Sequence, residues 1–227
     1  MIKPKLAQAL CFTLTTILLA VSLAQATDEF KTIQLPKPEI THGKPLMQTL
    51  SERKTSREFD AKEIDRQTLS NLLWAAFGIN RPDGRRTAPS AHNHQEIDIF
   101  VAMKTGLYRY DPKGNALIPV VSDDLRAKTG LQGYVKEAPL DLVYVADFAK
   151  MTNCQESEKS FLSAADTGFI GQNVYLYSSS EGLATVIRGN IDKKKLSEAM
   201  KLRPDQIITL AQCVGYPKVK ASGDGTS

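Results

Sequence analysis

The segment from Ser157 to Ser180 is the longest helix that the sequence predicts, and it limits the folds open to the chain more than any other feature. Gly182 ends it, since glycine readily takes the left-handed conformation that closes a helix. Small residues recur on one face of this helix at spacings of three and four, at Ala164, Ala165, Gly168 and Gly171. Because glycine destabilises a helix interior by about 1 kcal/mol relative to alanine, we expect another element to approach this face closely. A helix of the same chain or of a partner subunit is the favoured neighbour, and a flat ligand is the alternative.

Shorter elements account for most of the remaining chain. Apolar runs predict strands in EIDIFVAM, LDLVYVA, LATVI and QIITLAQCVGY, and the segment GLYRYDPKGNALIPV predicts a hairpin. Helical spacing and capping residues predict helices over Leu46–Glu52, Asp65–Phe77, Asp123–Lys128 capped by Ser122, and Lys193–Met200 capped by Asp192. No internal repeat is present. The sequence therefore predicts one α+β domain over residues 46–218, with an extended arm at 27–45 and a polar tail at 219–227.

The start of the chain has the pattern of a signal peptide. Lys3 and Lys5 precede an apolar run, and Ala24-Gln25-Ala26 forms a small-x-small cleavage site. Threonines interrupt the run, which is unfavourable for a stable membrane span. No arginine pair precedes it, which favours a Sec-type route. We expect residues 1–26 to be removed by cleavage after Ala26, leaving a periplasmic or secreted protein without a stable span.

The overall charge excludes one class of partner. The sequence has 29 lysines and arginines against 25 acidic residues, and two of the lysines leave with the signal peptide. The mature chain is thus close to neutral and has no basic stripe. A nucleic-acid-binding protein would be expected to show one.

Residues that build metal and disulfide sites are sparse. His92 and His94 lie two apart in a loop segment, without the helical partner or cysteine pair that zinc sites use. No metal site is predicted. Cys154 and Cys213 remain in the mature chain, and the sequence leaves open whether they form a disulfide or stay as two thiols.

Common catalytic and nucleotide-binding motifs are also absent. The chain has no G-x-G-x-x-G after a strand and no G-x-x-x-x-G-K-[ST], so a dinucleotide or P-loop site is unsupported. It has no G-x-S-x-G elbow for serine catalysis.

What remains is a pattern suited to an anion and to a polar heterocycle. In SERKTSREF, Arg53 and Arg57 offer planar guanidinium groups that suit phosphate, and Thr55 adds a hydroxyl donor. In PSAHNHQE, the amides of Asn93 and Gln95 can both donate and accept. A solvated charge run is the alternative for each segment taken singly, and their joint occurrence favours binding.

Four segments in one order resemble the FMN-dependent nitroreductase superfamily, and most of all its SagB/ThcOx-type branch. ERKTSREF resembles the N-terminal E-R-R-S-x-R-x-F signature, and LLWAAFGINRPDGRRTAPSAHNHQEIDIFVA resembles the branch's helix, Arg-Thr-x-Pro-Ser loop and first strand. AADTGFIGQNVYLYSSSEGLATV resembles the long helix ending in Gly-Leu, and VGYPK the closing strand. The resemblance spans Leu50 to Lys218. It implies a nitroreductase-like α+β fold: a central, mostly antiparallel sheet flanked by helices, with a long helix at the interface of a homodimer.

The resemblance also implies an FMN site drawn from several parts of the chain. The phosphate and ribityl group would be held by Arg53, Lys54, Thr55 and Arg57, with a second phosphate contact from Lys218. The flavin ring and its edge would be lined by Pro89, Ser90, Asn93 and Gln95. Arg188 and Gly189 occupy a segment that passes close to the ring or the phosphate in relatives. The chain departs from many relatives at Glu96, where they have proline, and at Arg188, where they have glycine.

The chemistry implied is two-electron transfer through flavin N5 to or from a small organic substrate such as a nitroaromatic or a quinone. No side chain is assigned as catalytic. NAD(P)H is the usual donor, yet an exported protein lacks the cytoplasmic pool, so a redox protein, a quinol or the substrate itself stays open as donor. The alternatives are an exported non-catalytic flavin carrier, a peptide-azoline-type dehydrogenase, and an interaction module with a degenerate site.

Overall fold

A single sheet of seven strands organises residues 30–219, the part of the chain that the computed structural model describes. The strands are β1 (Ile33–Gln34), β2 (Ile97–Met103), β3 (Gly106–Asp111), β4 (Ala116–Val121), β5 (Leu140–Asp147), β6 (Ala184–Arg188) and β7 (Gln206–Gly215). Their order across the sheet is β1-β4-β3-β2-β5-β7-β6, and each neighbouring pair is antiparallel. The predicted signal peptide and the tail from Lys220 onward lie outside the described residues.

Helices flank the sheet, as predicted for an α+β fold. They are α1 (Leu46–Glu52), α2 (Arg66–Phe77), α3 (Glu156–Glu181) and α4 (Lys193–Met200). The predicted cap is confirmed for α4, where Asp192 accepts from the Lys195 N–H. The sequence prediction began α2 at Asp65, whereas Asp65 caps the helix from outside, and its carboxylate accepts from the Gln67 and Thr68 N–H groups. Gly182 closes α3 in the left-handed conformation, with φ of 70°.

One predicted helix is wrong. The segment Asp123–Lys128 forms only a 3-10 turn, Arg126–Lys128, and Ser122 does not cap it. The Asp124 carboxylate instead accepts hydrogen bonds from the N–H of Arg126 at 3.1 Å and from its guanidinium at 2.7 Å. An aspartate that binds the backbone two residues ahead stabilises a turn in place of a helix.

The sheet has a helix on each face. Successive residues of a strand point to opposite sides, and β5 shows this clearly. Val143 and Val145 belong to an apolar cluster that includes Leu196 of α4. Tyr144, between them, donates a hydrogen bond of 2.6 Å to Gln212 of β7, and the Gln212 amide donates to the main chain of α3 at 3.4 Å. Thus α4 covers one face and α3 the other.

The small-residue face of α3 has two different environments. At Gly171 a Cβ atom would lie 2.5 Å from the Ile187 Cδ1 atom, so glycine lets β6 approach the helix closely. The expectation of a neighbouring helix is wrong at this position, because a strand of the same chain fills it. Gly168 has open space around it and Ala164 is exposed, so this face is uncovered toward the start of α3.

The described part of the N-terminal arm, from Phe30 onward, runs from the sheet edge to α2. Its first part pairs with β4 as the short strand β1. Ser70 of α2 then donates to the Pro36 carbonyl oxygen at 2.6 Å, and Asn71 accepts from the Glu39 N–H at 2.8 Å. Within residues 30–219, no helix is both long and apolar enough to cross a membrane.

Candidate functional site

The predicted phosphate-binding segment follows α1 and crosses β6. The Ser56 N–H donates to the Thr185 carbonyl oxygen of β6 at 3.0 Å, and the Asp60 N–H donates to the Tyr216 carbonyl oxygen at 2.9 Å. Phe59 is buried and pairs with Pro217 in an isolated bridge beyond β7. The segment is therefore fixed by its backbone to the end of the sheet.

Tyr175 of α3 contacts this segment through both its hydroxyl group and its ring. Its hydroxyl lies 3.1 Å from the Thr55 hydroxyl and accepts the Ile187 N–H of β6 at 3.0 Å. The Arg53 guanidinium lies above the same ring, 5.3 Å from its centroid, within the range of a cation–π contact. Sequence reasoning missed Tyr175, whose position one turn after the buried Gly171 is its only signal.

A cavity of about 630 Å³ opens beside this contact. Its wall brings together two predicted phosphate ligands, Lys54 and Lys218, which lie far apart in sequence. Ser178 of α3 also lines it, and the Ser178 hydroxyl is buried without a hydrogen-bond partner among the described residues. Such an orphaned donor is costly unless a ligand or water satisfies it.

Charge in this region is unbalanced in favour of an anion. On the cavity wall, Lys44 is bound to Glu52 at 2.6 Å, and Glu58 is the other acid there. Four side chains of the segment and its surroundings have no carboxylate partner within residues 30–219, namely Arg53, Lys54, Arg57 and Lys218. Of these four, Lys54 and Lys218 line the cavity, whereas Arg53 lies over the Tyr175 ring and Arg57 is exposed on the same segment. Cations without a carboxylate partner suit a bound phosphate.

The predicted ring-binding residues occupy a strained loop before β2. His92, Asn93 and Gln95 have φ of 50°, 56° and 50°, left-handed values that are uncommon outside glycine and cluster at functional sites. The Ser90 hydroxyl accepts the Gln95 N–H at 3.0 Å and closes the loop. Pro89 and Asn93 are exposed at its surface.

The Gln95 amide is fixed within this loop. Its oxygen accepts from the Arg86 guanidinium at 2.7 Å, and its nitrogen donates to the Asn93 side chain at 3.0 Å and to the Gly84 carbonyl oxygen at 3.2 Å. Sequence reasoning did not single out Arg86, although it opens the Arg-Thr-x-Pro-Ser segment. Arg86 stacks 4.5 Å from the centroid of the Phe77 ring, and burial lowers its pKa.

Helix α3 connects the two halves of the site. Asp166 accepts a 2.8 Å hydrogen bond from the Ala91 N–H in the loop, and Tyr175 lies nine residues further along. At 1.5 Å per residue, these contacts are about 14 Å apart along the helix axis. The site is thus elongated, with cations at one end and amides at the other.

Arg188 lies at the end of β6 but faces the interior. It is 6% exposed, and its guanidinium bonds Asp141 at 2.6 Å and the Thr129 hydroxyl at 2.7 Å. It also donates to the Thr129 carbonyl oxygen and to the Cys213 sulfur at 3.3 Å. A flavin contact from this residue would therefore have to use its backbone, and Gly189 is exposed beside it.

Burial shifts the pKa values of the groups in and around this internal ion pair. Desolvation raises the pKa of Asp141 to about 6, against the opposing charge of Arg188. It also raises the pKa of the Cys213 thiol. Cys213 and Cys154 are both free thiols, so the disulfide alternative is not realised in the structure.

The fold brings two groups of side chains together along α3: cations without a carboxylate partner among the described residues near Tyr175, and a loop of amide side chains near Asp166. The chain belongs to the nitroreductase family, whose sequence pattern matches residues 50–216. These are oxidoreductases that typically bind FMN and are commonly dimers.

Individual relatives agree with this assignment. A crystal structure of a nitroreductase homologue from Ralstonia eutropha is 43% identical, with a TM-score of 0.82 over 86% of this chain and 93% of its own. A nitroreductase homologue from Methanocaldococcus jannaschii is 26% identical over 189 residues, which cover 79% of this chain and 95% of that protein. Nitroreductase A of Vibrio parahaemolyticus, at 22% identity and a TM-score of 0.59 over 77% of this chain and 69% of its own, shares the fold alone.

Proposed function

We propose that the protein is an FMN-dependent oxidoreductase that exchanges hydride with a small organic substrate, such as a nitroaromatic or a quinone, through flavin N5. The observation that carries this proposal is the pairing along α3 of unpartnered cations at one end with a strained amide loop at the other. FMN has the same polarity, with a phosphate at one end and a hydrogen-bonding heterocycle at the other. Membership of the nitroreductase family supports the assignment.

The residues present fit this cofactor. Arg53, Lys54, Arg57 and Lys218 would neutralise the phosphate, and Thr55 would donate to it or to the ribityl chain. The orphaned Ser178 hydroxyl in the cavity wall is a further polar group that such a ligand can satisfy. When bound, FMN supplies the two-electron chemistry, and the protein supplies binding, orientation and electrostatics.

At the ring end, the loop would orient the heterocycle through Pro89, Ser90, Asn93 and Gln95. Since Arg86 occupies the Gln95 oxygen and Gln95 occupies the Asn93 oxygen, the amide nitrogen of the exposed Asn93 is the group that would donate to the ring. A rigid loop is useful here because groups held in place before binding need no reorganisation during the reaction. The Arg-Thr-x-Pro-Ser segment that Arg86 opens supports the SagB/ThcOx-type branch.

We propose a homodimer formed through the open end of α3. Phe161 is 74% exposed and Phe169 is 48% exposed on this helix, and the exposed Ala164 and Gly168 lie between them. A stripe of aromatic and small residues permits close packing against a second copy. Dimers are common in the family, which supports the same surface.

Export is part of the proposal, and it limits which electron donors can reach the protein. If residues 1–26 are removed as a signal peptide, the mature protein acts outside the cytoplasmic NAD(P)H pool. A quinol, a redox protein or the substrate itself would then reduce the flavin. A non-catalytic flavin carrier and a peptide-azoline-type dehydrogenase are the competing outcomes.

The test begins with the protein from Thr27 onward, titrated with FMN and with riboflavin. The wild type should bind FMN more tightly than riboflavin. Arg57→Ala should weaken FMN binding about tenfold to a hundredfold, because a charge-assisted hydrogen bond contributes about 1.5–3 kcal/mol, and should leave riboflavin binding unchanged. Lys113→Ala, an exposed lysine of the β3–β4 hairpin, is the matched control.

Two outcomes would contradict the assignment. A protein that binds neither flavin is not a flavoprotein, and an Arg57→Ala variant that weakens FMN and riboflavin equally does not lose a phosphate contact. Anaerobic mixing of the loaded protein with NADPH or a quinol, followed by a nitroaromatic or quinone acceptor, then separates an enzyme from a carrier. A carrier would be reduced without turning the acceptor over.

A further inference from the structure

A pair of buried carboxyl groups lies beneath the ring-binding loop and has no part in the proposed chemistry. Glu96 immediately follows the loop and is fully buried, and Asp166 of α3 is 2% exposed. Neither carboxyl oxygen of Glu96 has a hydrogen-bond donor within residues 30–219. An ionised carboxylate in that position is strongly disfavoured, so its protonation state requires an explanation.

The polar groups that face Glu96 come from α3 and from the loop. Asp166 and Ser163 are its neighbours on the helix, and the Ser163 hydroxyl points to the Met151 sulfur at 3.5 Å. His94 faces Asp166 from the loop, and its Nε2 atom is buried without a partner among the described residues. None of these groups donates to Glu96 in good geometry.

The nearby cations are engaged elsewhere. Lys150, in the turn after β5, bonds Asp98 at 2.8 Å and approaches the Gln95 carbonyl oxygen at 3.5 Å. On β5, the Asp147 N–H donates to the Glu96 carbonyl oxygen at 3.0 Å, while the Asp147 carboxylate is bound by Arg203 at 2.8 Å. Within residues 30–219, the two acids therefore face each other with His94 beside Asp166 and with no lysine or arginine bonded to either carboxyl group.

Burial and the mutual repulsion of these two carboxyl groups disfavour the state in which both are ionised. Burial raises the pKa of Glu96, and the neighbouring Asp166 raises it further. Burial also raises the pKa of Asp166. A single proton shared between them provides the missing donor and removes one of the two charges.

Asp166 has a second contact, and this one reaches the site. It accepts the Ala91 N–H at 2.8 Å, at the start of the turn in which His92 and Asn93 take left-handed backbone angles. Such strain persists only where surrounding contacts enforce it. Any charge repulsion that displaces Asp166 would release this turn.

We propose that Glu96 and Asp166 hold one proton between them and that this protonated pair, through the Asp166–Ala91 contact, positions the loop that binds the flavin ring. Both are positioning residues. Loss of the shared proton at alkaline pH separates the carboxylates, frees the loop and weakens flavin binding. The effect on flavin binding rests on the proposed function, whereas the effect on the loop does not.

The first measurement uses the flavin-free protein: hydrogen exchange at the Ala91 amide, expressed as a protection factor across pH 6 to 10. In the wild type, protection should fall about tenfold per pH unit once the pair loses its proton. Glu96→Gln carries a permanent donor in place of the proton, so its protection should stay constant with pH. Asp166→Ala removes the acceptor and should lack protection at every pH.

The matched control is Glu198→Gln, an exposed acid on α4, which should follow the wild-type profile. A wild-type profile that is flat, or a Glu96→Gln profile that falls like the wild type, would overturn the proposal. A profile flattened by His94→Gln and not by Glu96→Gln would assign the proton to His94 and equally overturn it.

The second measurement is the Kd for FMN across the same pH range. The wild-type Kd should rise about tenfold per pH unit above the pair's apparent pKa, and the Kd of Glu96→Gln should change less than about twofold. If FMN does not bind at any pH, the proposed function is refuted. The hydrogen-exchange result at the Ala91 amide then decides alone whether Glu96 and Asp166 share a proton. An equal rise of the Kd in both proteins, with FMN bound at neutral pH, would overturn the role of the pair in binding.

Discussion

The hydroxyl groups of Tyr175 and Thr55 lie 3.1 Å apart, and this contact joins α3 to the candidate phosphate segment. The Tyr175 hydroxyl also accepts the Ile187 N–H of β6 at 3.0 Å. One aromatic side chain thus fixes the segment relative to the helix and to the sheet. Because the ring lies beneath Arg53, it also restricts where that guanidinium can point.

Tyr175→Phe should therefore weaken FMN binding without unfolding the protein. The variant keeps the ring and loses one hydroxyl, and a hydrogen bond contributes about 0.5–1.5 kcal/mol. We expect the Kd for FMN, measured by fluorescence quenching, to rise about threefold to tenfold.

The control is Tyr177→Phe on the same helix, whose hydroxyl donates to the Thr68 carbonyl oxygen of α2 at 3.3 Å, away from the segment. It should keep the wild-type Kd. Equal effects on the Kd in both variants would mean that Tyr175 has no specific role in the site.

The buried ion pair of Arg188 and Asp141 leads to a second prediction, tested by a double-mutant cycle. Asp141→Ala or Arg188→Met alone should each lower the free energy of unfolding by about 3–5 kcal/mol, because each leaves a buried partner unsatisfied. The double variant should lose clearly less than the sum of the two. Chemical denaturation of all four proteins provides the four free energies.

The same cycle examines the role of Arg188 in cofactor binding. Since its guanidinium is held by Asp141 and Thr129, Arg188→Met should change the Kd for FMN by less than about threefold when the folded fraction is taken into account. A loss as large as that expected for Arg57→Ala would show that the side chain leaves the interior to bind the phosphate.

Arg188 also illustrates what the sequence could and could not predict. The helices over Leu46–Glu52 and Lys193–Met200 follow from local spacing and caps, and the structure confirms them. The position of Arg188 in the chain matched a cofactor-binding segment, yet its side chain is captured by Asp141, which is 47 residues away. A local sequence pattern gives no information about a bonding partner so far away in the chain.

Some residues of the candidate site could likewise be predicted from the sequence, and others could not. Lys54 and Lys218 were predicted to share a phosphate, and the structure places both on one cavity wall; their binding role stays a prediction. Tyr175, Arg86 and Asp166 were not singled out because their effect depends on what lies across the fold. A tyrosine in a helix or an arginine in a loop is common, and only the contacts with Thr55 and Gln95 give these residues a role.

A third prediction concerns the pH dependence of stability. The pKa of Asp141 is about 6 in the folded protein, above the ordinary value of about 3.9 in the unfolded chain. The folded state therefore binds this proton more tightly. The corresponding stabilisation is fully present below about pH 4 and is lost as the pH rises through about 6.

Asp141→Asn removes this dependence, so its free energy of unfolding should vary less between pH 4 and pH 7 than that of the wild type. A shift of about two pKa units corresponds to about 3 kcal/mol. Urea denaturation at several pH values measures both curves, with Asp123→Asn as an exposed control. Parallel curves for wild type and Asp141→Asn would show that the carboxyl group titrates normally in the folded state.

The fourth prediction concerns the proposed dimer. Phe161 and Phe169 are unusually exposed for large apolar side chains, and a two-fold axis across α3 would bury both from each subunit. Burying one phenylalanine contributes about 1.5–3 kcal/mol. The double variant Phe161→Ser/Phe169→Ser should therefore raise the dissociation constant of the dimer more than a hundredfold, by about 3 kcal/mol or more.

Sedimentation velocity over a range of concentrations measures this constant. Ile207→Ser, which changes an apolar residue of β7 that is 40% exposed, tests whether any exposed apolar residue has the same effect. A wild-type protein that stays monomeric at every concentration would contradict the dimer itself, whereas a double variant that remains dimeric would place the interface on another surface. If FMN binding falls together with dimerisation in the double variant but not in Ile207→Ser, the partner subunit completes the flavin site, because these phenylalanines are not among the predicted cofactor ligands.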